Sequence, residues 1–343
     1  MATPTLNRPT PERIFNTLTA FQATAALQAA IDLDIFSSIA EGRTDTSALA
    51  QKTGASERGL RILCDYLTIQ GFLTKDLAKE KASYGLTQES AIFLNRRSPA
   101  YIGSIGEFLN SDRTSATFRR LTEAVRKGGT TNAAGANNEP DDDFWVNFAR
   151  SMAPMTAISS TLIADLAGAS AGKPMKVLDV AASHGMFGIA IAKKNPNARI
   201  FALDWPNVLQ VAVDNAKAAG VAEQLALVPG SAFEAFLGTD YDCVLVTNLF
   251  HHFDPPTCEK LMRRLHSALK PGGKVLTLEF VPNEDRITPP MPAAFSLIML
   301  ANTDSGDAYT FAEYEKMFRD SGFAKTTLHQ SPDIPQQVLV SEK

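Results

Sequence analysis

The chain has 343 residues, 45% of them hydrophobic and 20% charged, the balance of a soluble globular protein with room for two domains. Its formal net charge of −4 argues against a nucleic-acid binder, which would carry a basic surplus. The three cysteines, Cys64, Cys243 and Cys258, have neither paired nor metal-like spacing, which fits a reduced cytoplasmic setting without a disulfide framework.

The first residues, MATPTLNRPTPERI, lack a basic start followed by an apolar run, so no signal peptide is expected, and no stretch approaches the roughly 18 apolar residues of a membrane span. Residues 13–33 read as one helix, with Ile14, Leu18, Phe21, Ala25 and Leu27 recurring near the helical period. That is more apolar surface than one small module can cover, so this helix is expected to join a second copy. In the next segment Thr46 can cap a short helix, Gly54 supplies a turn, and Ser56 can cap a second helix carrying Leu60, Leu63 and Leu67. The following FLTKDLAKEKASYGLT reads as a two-stranded wing.

A winged helix-turn-helix can read DNA with its second helix, or can serve as a packing and dimerisation module. Here the second helix offers only Arg58 and Arg61 as cations, beside Glu57 and Asp65, which is little for phosphate contacts. Dimerisation is the favoured expectation, with neither nucleic acid nor membrane as a partner. The polar run GGTTNAAGANNEPDDD, residues 128–143, reads as a solvated loop between domains 1–140 and 141–343.

A helical region at 144–168 leads into the second domain, where short β-branched runs alternate with helices. The expected strands are KVLDVA, RIFALD, LALVPG, YDCVLVTN and KVLTLEF, with helices at 208–219 and 256–269. The chain closes with a helix at 310–321 and strands at 325–330 and 336–342. The last two are too close for a crossover and should pair antiparallel, so the fold class is α/β: a parallel Rossmann-like sheet ending in an antiparallel hairpin.

The most informative motif is KVLDVAASHGMFGIAIAKK: a strand, a turn of small residues, and a helix whose free N–H groups face the turn. Ala181, Ser183 and Gly185 let the backbone approach a ligand there, and Asp179 can receive a cofactor's ammonium group or simply cap the turn. Asp204 ends the second strand, where a carboxylate can accept both hydroxyls of a ribose. Trp205 would flank the base. Gly230, Ser231, Ala232 and Phe233 follow the third strand, and Thr247 and Asn248 the fourth. Four strand ends at one carboxyl edge make one crevice.

With this layout the chain resembles, over nearly its whole length, the cation-independent small-molecule O-methyltransferases, the group that includes plant caffeate and bacterial polyketide or carotenoid methyltransferases. The resemblance implies a class I methyltransferase domain using S-adenosylmethionine without a metal, and a homodimer whose N-terminal domains interlock and help cover the acceptor pockets. It places the catalytic base at His251 in NLFHHFD, where the family reads close to L-H-D-W, so His252 replaces an acid. Glu279 matches the acid that orients the base. The second family acid aligns with Ala308, and the adjacent Asp307 can substitute. Phe148, Met152, Met155, His252, Phe295, Met299 and Asn302 are the implied acceptor-binding residues. The chain departs from the family at AASHG, usually GGGTG, which sets His184 in the turn, and at Ser231, usually an acid.

Methylation of nitrogen or carbon, or a non-methylating use of the sulfonium, remains a second reading on the same fold. A winged-helix regulator that senses a ligand and binds DNA is a third, of a different class.

Overall fold

The computed structural model describes residues 9–78, 82–132 and 143–343. The domain boundary expected at 140, and most of the polar loop around it, lie outside the described residues. Contacts divide the chain into two compact units, Met1–Ser111 and Asp112–Lys343.

In the first unit the single helix expected over 13–33 is two, Glu12–Leu18 and Ala20–Asp32. They part at Thr19, whose hydroxyl donates to the Phe15 carbonyl at 2.8 Å; such back-bonding bends a helix. Ile14, Phe15, Leu18 and Phe21 are 62–68% exposed. The short helix Thr46–Thr53 is capped by Asp45, one residue before the expected Thr46, because the Asp45 carboxylate accepts from the Ala48 N–H at 2.9 Å. Ser56 caps Glu57–Ile69 as expected, accepting from the Gly59 N–H at 3.1 Å. The wing is β1 (Leu73–Asp76) paired antiparallel with β2 (Ser83–Leu86). Leu49, Leu60, Cys64, Leu67, Leu73 and Tyr84 are buried together with Ile35 and Phe36. On the second helix Arg61 is paired with Asp65 at 3.1 Å, which further depletes the positive charge available to a phosphate.

The second unit holds a seven-stranded sheet of β3 (Met175–Val180), β4 (Ala198–Asp204), β5 (Leu225–Pro229), β6 (Tyr241–Thr247), β7 (Leu269–Glu279), β8 (Lys325–His329) and β9 (Gln337–Glu342). Their order is β5-β4-β3-β6-β7-β9-β8. β3 to β7 run parallel; β9 pairs antiparallel with β7 and with β8, as the short connection required. β7 begins five residues before the expected KVLTLEF, and a register shift against Tyr241–Cys243 absorbs the extra length.

Alternation along the strands builds two cores. Val177, Ile200, Leu245, Leu276 and Val338 meet Ile163, Phe187 and Ile191 on one face. Leu178, Val180, Val244, Val246 and Leu339 meet Leu261, Met262, Leu265 and Phe318 on the other. The region 144–168 is helical but interrupted: Asp143–Met152, a 3₁₀ turn at Ala153–Thr156 containing Pro154, then Ala157–Ala167. Strand order reverses between β3 and β6, so a crevice opens at their carboxyl ends.

Candidate active site

The turn after β3 is held in left-handed backbone at three positions, Ala181 (φ 53), Ser183 (φ 52) and Gly185 (φ 71). Only the last is glycine, and left-handed conformations cost an L-residue about 1–3 kcal/mol each. Strain of this kind clusters at active sites and ligand clamps. Close packing fixes the turn: a Cβ on Gly185 would lie 2.8 Å from the Ala212 Cβ. One turn into the helix Met186–Lys194, a Cβ on Gly188 would lie 2.6 Å from Ile200 Cγ2 and 3.0 Å from Asp179 Oδ2. Gly188 was not among the expected residues, although its spacing from Gly185 is that of the last two glycines in a dinucleotide turn.

Asp179 is 1% exposed. Its Oδ2 accepts from the Gly188 N–H at 3.2 Å, while Oδ1 has no partner. Burial pushes its pKa up to about 8. A buried carboxyl with an unmet oxygen suits a cationic group of a ligand. Asp204 takes the Ser183 N–H on Oδ2 at 2.8 Å and the Trp205 N–H on Oδ1 at 2.7 Å. Those two bonds aim the carboxylate and leave each oxygen a further acceptor site for a hydroxyl. Burial raises its pKa to about 6.

The other strand ends complete the crevice. Gly230 donates to the Asp204 carbonyl at 2.9 Å, and Ser231 Oγ accepts from the Phe233 N–H at 3.2 Å. Ala232 and Phe233 pack on the β-sheet core, with Phe233 edge-on to Phe253 at 5.1 Å. Thr247 is buried at the end of β6. Asn248 follows with φ 55, and its side-chain oxygen accepts from Gln336 at 2.8 Å. Trp205 packs with Trp145, Val146, Ala149, Val208 and Val211. His184 is buried, its Nδ1 accepting from the Met186 N–H at 3.2 Å, and burial lowers its pKa to about 4. It is therefore neutral, and it caps the helix.

β6 delivers the chain to a 3₁₀ turn, Phe250–His252, before Asp254 caps the helix Pro255–Ala268 by accepting from the Thr257 N–H at 2.9 Å. His251 is 4% exposed and Glu279, at the end of β7, is fully buried. Glu279 Oε2 lies 2.5 Å from His251 Nδ1, while Oε1 accepts the Leu249 and Phe250 N–H groups at 3.0 and 2.9 Å. With Oε1 filled in this way, Glu279 Oε2 accepts a hydrogen bond from Nδ1–H and leaves Nε2 as the basic nitrogen of His251. The turn is also held from behind: Cys258 Sγ donates to the Phe250 carbonyl at 3.2 Å and Tyr309 Oη to that of Phe253 at 2.6 Å.

An aromatic wall stands beside this base. The Phe295 ring is edge-on to His251 at 4.8 Å and stacks on Phe280 at 4.1 Å. His252 lies 4.5 Å from His251 and edge-on to Trp145 at 5.7 Å, and Trp145 meets Phe148 at 5.5 Å. Trp145 was missed, although 145, 148 and 152 fall on one helical stripe. Met152 is half-buried, Met299 buried, and Met155 48% exposed. Asn302 donates to the Ile298 carbonyl at 2.9 Å. Asp307 is not brought to His251 by any bond of its carboxylate: Arg286 lies 3.3 Å from Oδ2 and the Ala308 N–H donates to Oδ1 at 2.8 Å.

Among the described residues no group of three His, Cys, Asp or Glu side chains is arranged to hold a metal, and no helix is long and apolar enough to cross a membrane. A cavity of about 390 Å³ lined by Val281, Phe311, Leu328 and Gln337, among others, contains none of the expected site residues.

Residues 118–324 match the family model of the O-methyltransferase domain, and residues 15–96 that of the O-methyltransferase dimerisation domain. The tetracenomycin polyketide synthesis 8-O-methyl transferase of Streptomyces glaucescens is 27% identical over 94% of this chain and 95% of its own length. A candidate O-methyltransferase from Nostoc punctiforme, known from its crystal structure, is 50% identical, with a TM-score of 0.93 over 98% of this chain and 100% of that one. Human N-acetylserotonin methyltransferase, solved with S-adenosylmethionine, shares the fold at a TM-score of 0.84 and 22% identity, covering 98% and 99% of the two chains.

Proposed function

The chain belongs to the O-methyltransferase family, and on that premise we propose that it methylates a hydroxyl of a small aromatic or polyketide-like acceptor with His251 as general base. Its cofactor is S-adenosylmethionine, which when bound supplies a methyl group already activated by a sulfonium. The observation that carries the reading is the His251–Glu279 pair, 2.5 Å apart and buried at the strand edge.

The residues divide the work. A phenol titrates near ~10 and is a poor nucleophile while protonated, so a neutral imidazole must take its proton as the oxygen attacks. His251 Nε2 is the acceptor of that proton. Glu279 keeps the ring in one tautomer and stabilises the imidazolium that forms. The fit to the cofactor rests on the unmet Oδ1 of Asp179, which would take its ammonium, and on Asp204, which would take the two ribose hydroxyls. Gly185 and Gly188 let the helix Met186–Lys194 pack tightly behind the turn that would take its methionine end, Gly230 to Phe233 would border its base, and Thr247 and Asn248 would floor the crevice. Trp145, Phe148, His252 and Phe295 would grip a flat ring, with Met152, Met155, Met299 and Asn302 continuing that wall. Holding the acceptor oxygen in line with the methyl supplies much of the remaining rate enhancement.

The dimerisation domain supports self-association. The reading adds that the assembly is a homodimer through the exposed helices Glu12–Leu18 and Ala20–Asp32, and that neither nucleic acid nor membrane is a partner. Incubation with S-adenosylmethionine and a panel of phenols, following S-adenosylhomocysteine by mass spectrometry, tests the reaction. Product from amine acceptors and none from any phenol would sink it.

A further inference from the structure

His252 directly follows the proposed base at the end of the 3₁₀ turn Phe250–His252. Neither of its ring nitrogens has a hydrogen-bond partner among the described residues, whereas His184 and His251 each use a ring nitrogen internally. The ring is half-buried between His251, 4.5 Å away, and Trp145, 5.7 Å away. The turn that carries it is fixed at both ends, by the Glu279 bonds to the Leu249 and Phe250 N–H groups and by Tyr309 Oη on the Phe253 carbonyl. A half-buried, rigidly mounted ring whose nitrogens are left unused by the protein is placed to bond a ligand group in exchange for water.

We propose that His252 is a specificity-determining residue that hydrogen-bonds a second oxygen of the acceptor, adjacent to the hydroxyl presented to His251. The acceptor class is then an aromatic ring with neighbouring oxygens, a vicinal diol or a hydroxyl beside a carbonyl. This rests on the reading of His251 as the base. Two imidazoles side by side at 4.5 Å match two oxygens on adjacent ring carbons, each within the usual bond length of about 2.7–3.0 Å of one nitrogen. Burial and the neighbouring His251 hold the His252 pKa well below the usual imidazole range, so the ring stays neutral. A neutral imidazole keeps one donor and one acceptor, and so can meet either a hydroxyl or a carbonyl.

The test compares 2,3-dihydroxynaphthalene with 2-naphthol, which differ by the second oxygen alone. Affinity is measured by calorimetry in the presence of S-adenosylhomocysteine, for the wild type, His252→Phe, His252→Gln and His251→Gln. The wild type should bind the diol roughly 5-fold to 10-fold more tightly, the worth of about one neutral hydrogen bond. His252→Phe, which keeps the ring against Trp145, should bring that ratio near one, and His252→Gln should restore part of it. Equal affinities in the wild type, no binding of either naphthol, or a ratio that survives His252→Phe would each overturn the proposal. Because binding is read without turnover, a preserved ratio with no methylated product would count against the reaction assigned to His251 and leave the role of His252 standing.

Discussion

A histidine becomes a base by what holds it. Glu279 Oε2 sits on His251 Nδ1, and Oε1 is occupied by two backbone N–H groups, so the carboxylate can neither turn away nor exchange partners cheaply. His251→Gln should therefore lower turnover by roughly 10²–10⁴-fold, with little change in affinity for S-adenosylhomocysteine. Glu279→Gln should fall between that variant and the wild type, since it orients the base without taking the proton. Near-normal turnover of His251→Gln on a confirmed acceptor would move the base elsewhere. The two aspartates make a second, opposite pair of predictions. Asp204→Ala removes an acceptor shared by two hydroxyls, so S-adenosylhomocysteine should bind about 10-fold to 100-fold more weakly, the worth of about 1.5–3 kcal/mol for hydrogen bonds to a charge. Asp179 has its pKa raised by burial to about 8, so the ligand-free fold prefers it protonated. A raised folded pKa means stability that is complete below the unfolded value, near ~3.9, and is lost as pH rises through about 8. Asp179→Asn should then melt higher than the wild type at pH 8 without cofactor, with the gap narrowing toward pH 5, while cofactor affinity falls. A melting temperature below wild type at pH 8 would show that the carboxylate is satisfied in the free protein.

At the scale of elements, two packing arrangements decide the site. The Met186–Lys194 helix lies so close to β3 and β4 that Gly188 has no room for a Cβ beside Ile200 and Asp179. Gly188→Ala should force the helix outward and disturb the Asp179 carboxyl, lowering both thermal stability and cofactor affinity; the small methyl addition would be harmless only if the helix were free to shift. In the N-terminal unit the exposed apolar residues fall on two successive helices, which Thr19 sets at an angle. Phe15→Glu combined with Phe21→Glu should convert a homodimer to a monomer in light scattering, since both side chains are more than half exposed in the isolated chain. A wild type already monomeric at micromolar concentration would end the homodimer reading. Periodicity predicted the apolar stripe here and also predicted one helix too many residues long, because a threonine at 19 carries no marked helix-breaking signal in sequence.

Across the whole molecule, the reaction needs no Lewis acid in the proposed scheme, since the cofactor's sulfonium activates the methyl and His251 removes the proton. Turnover should persist in excess EDTA, and activity that vanished and returned with magnesium would point to a metal-dependent mechanism. The sequence by itself determined the succession of strands along the second unit, the antiparallel closing hairpin, and the line of strand ends from Asp179 to Asn248. These follow from local rules, the period of apolar residues and the shortness of connections, which do not depend on distant contacts. It also placed His251 and Glu279 as partners by resemblance. Only the tertiary structure decided which neighbours satisfy each polar group. It left Asp179 Oδ1 without a partner and gave His184 a capping bond. It turned Asp307 toward Arg286 rather than His251, and brought Trp145 up against His252. Each of these depends on which residues far apart in the chain are brought within about 3–6 Å, a distance at which hydrogen bonds and ring contacts act and which no one-dimensional spacing encodes.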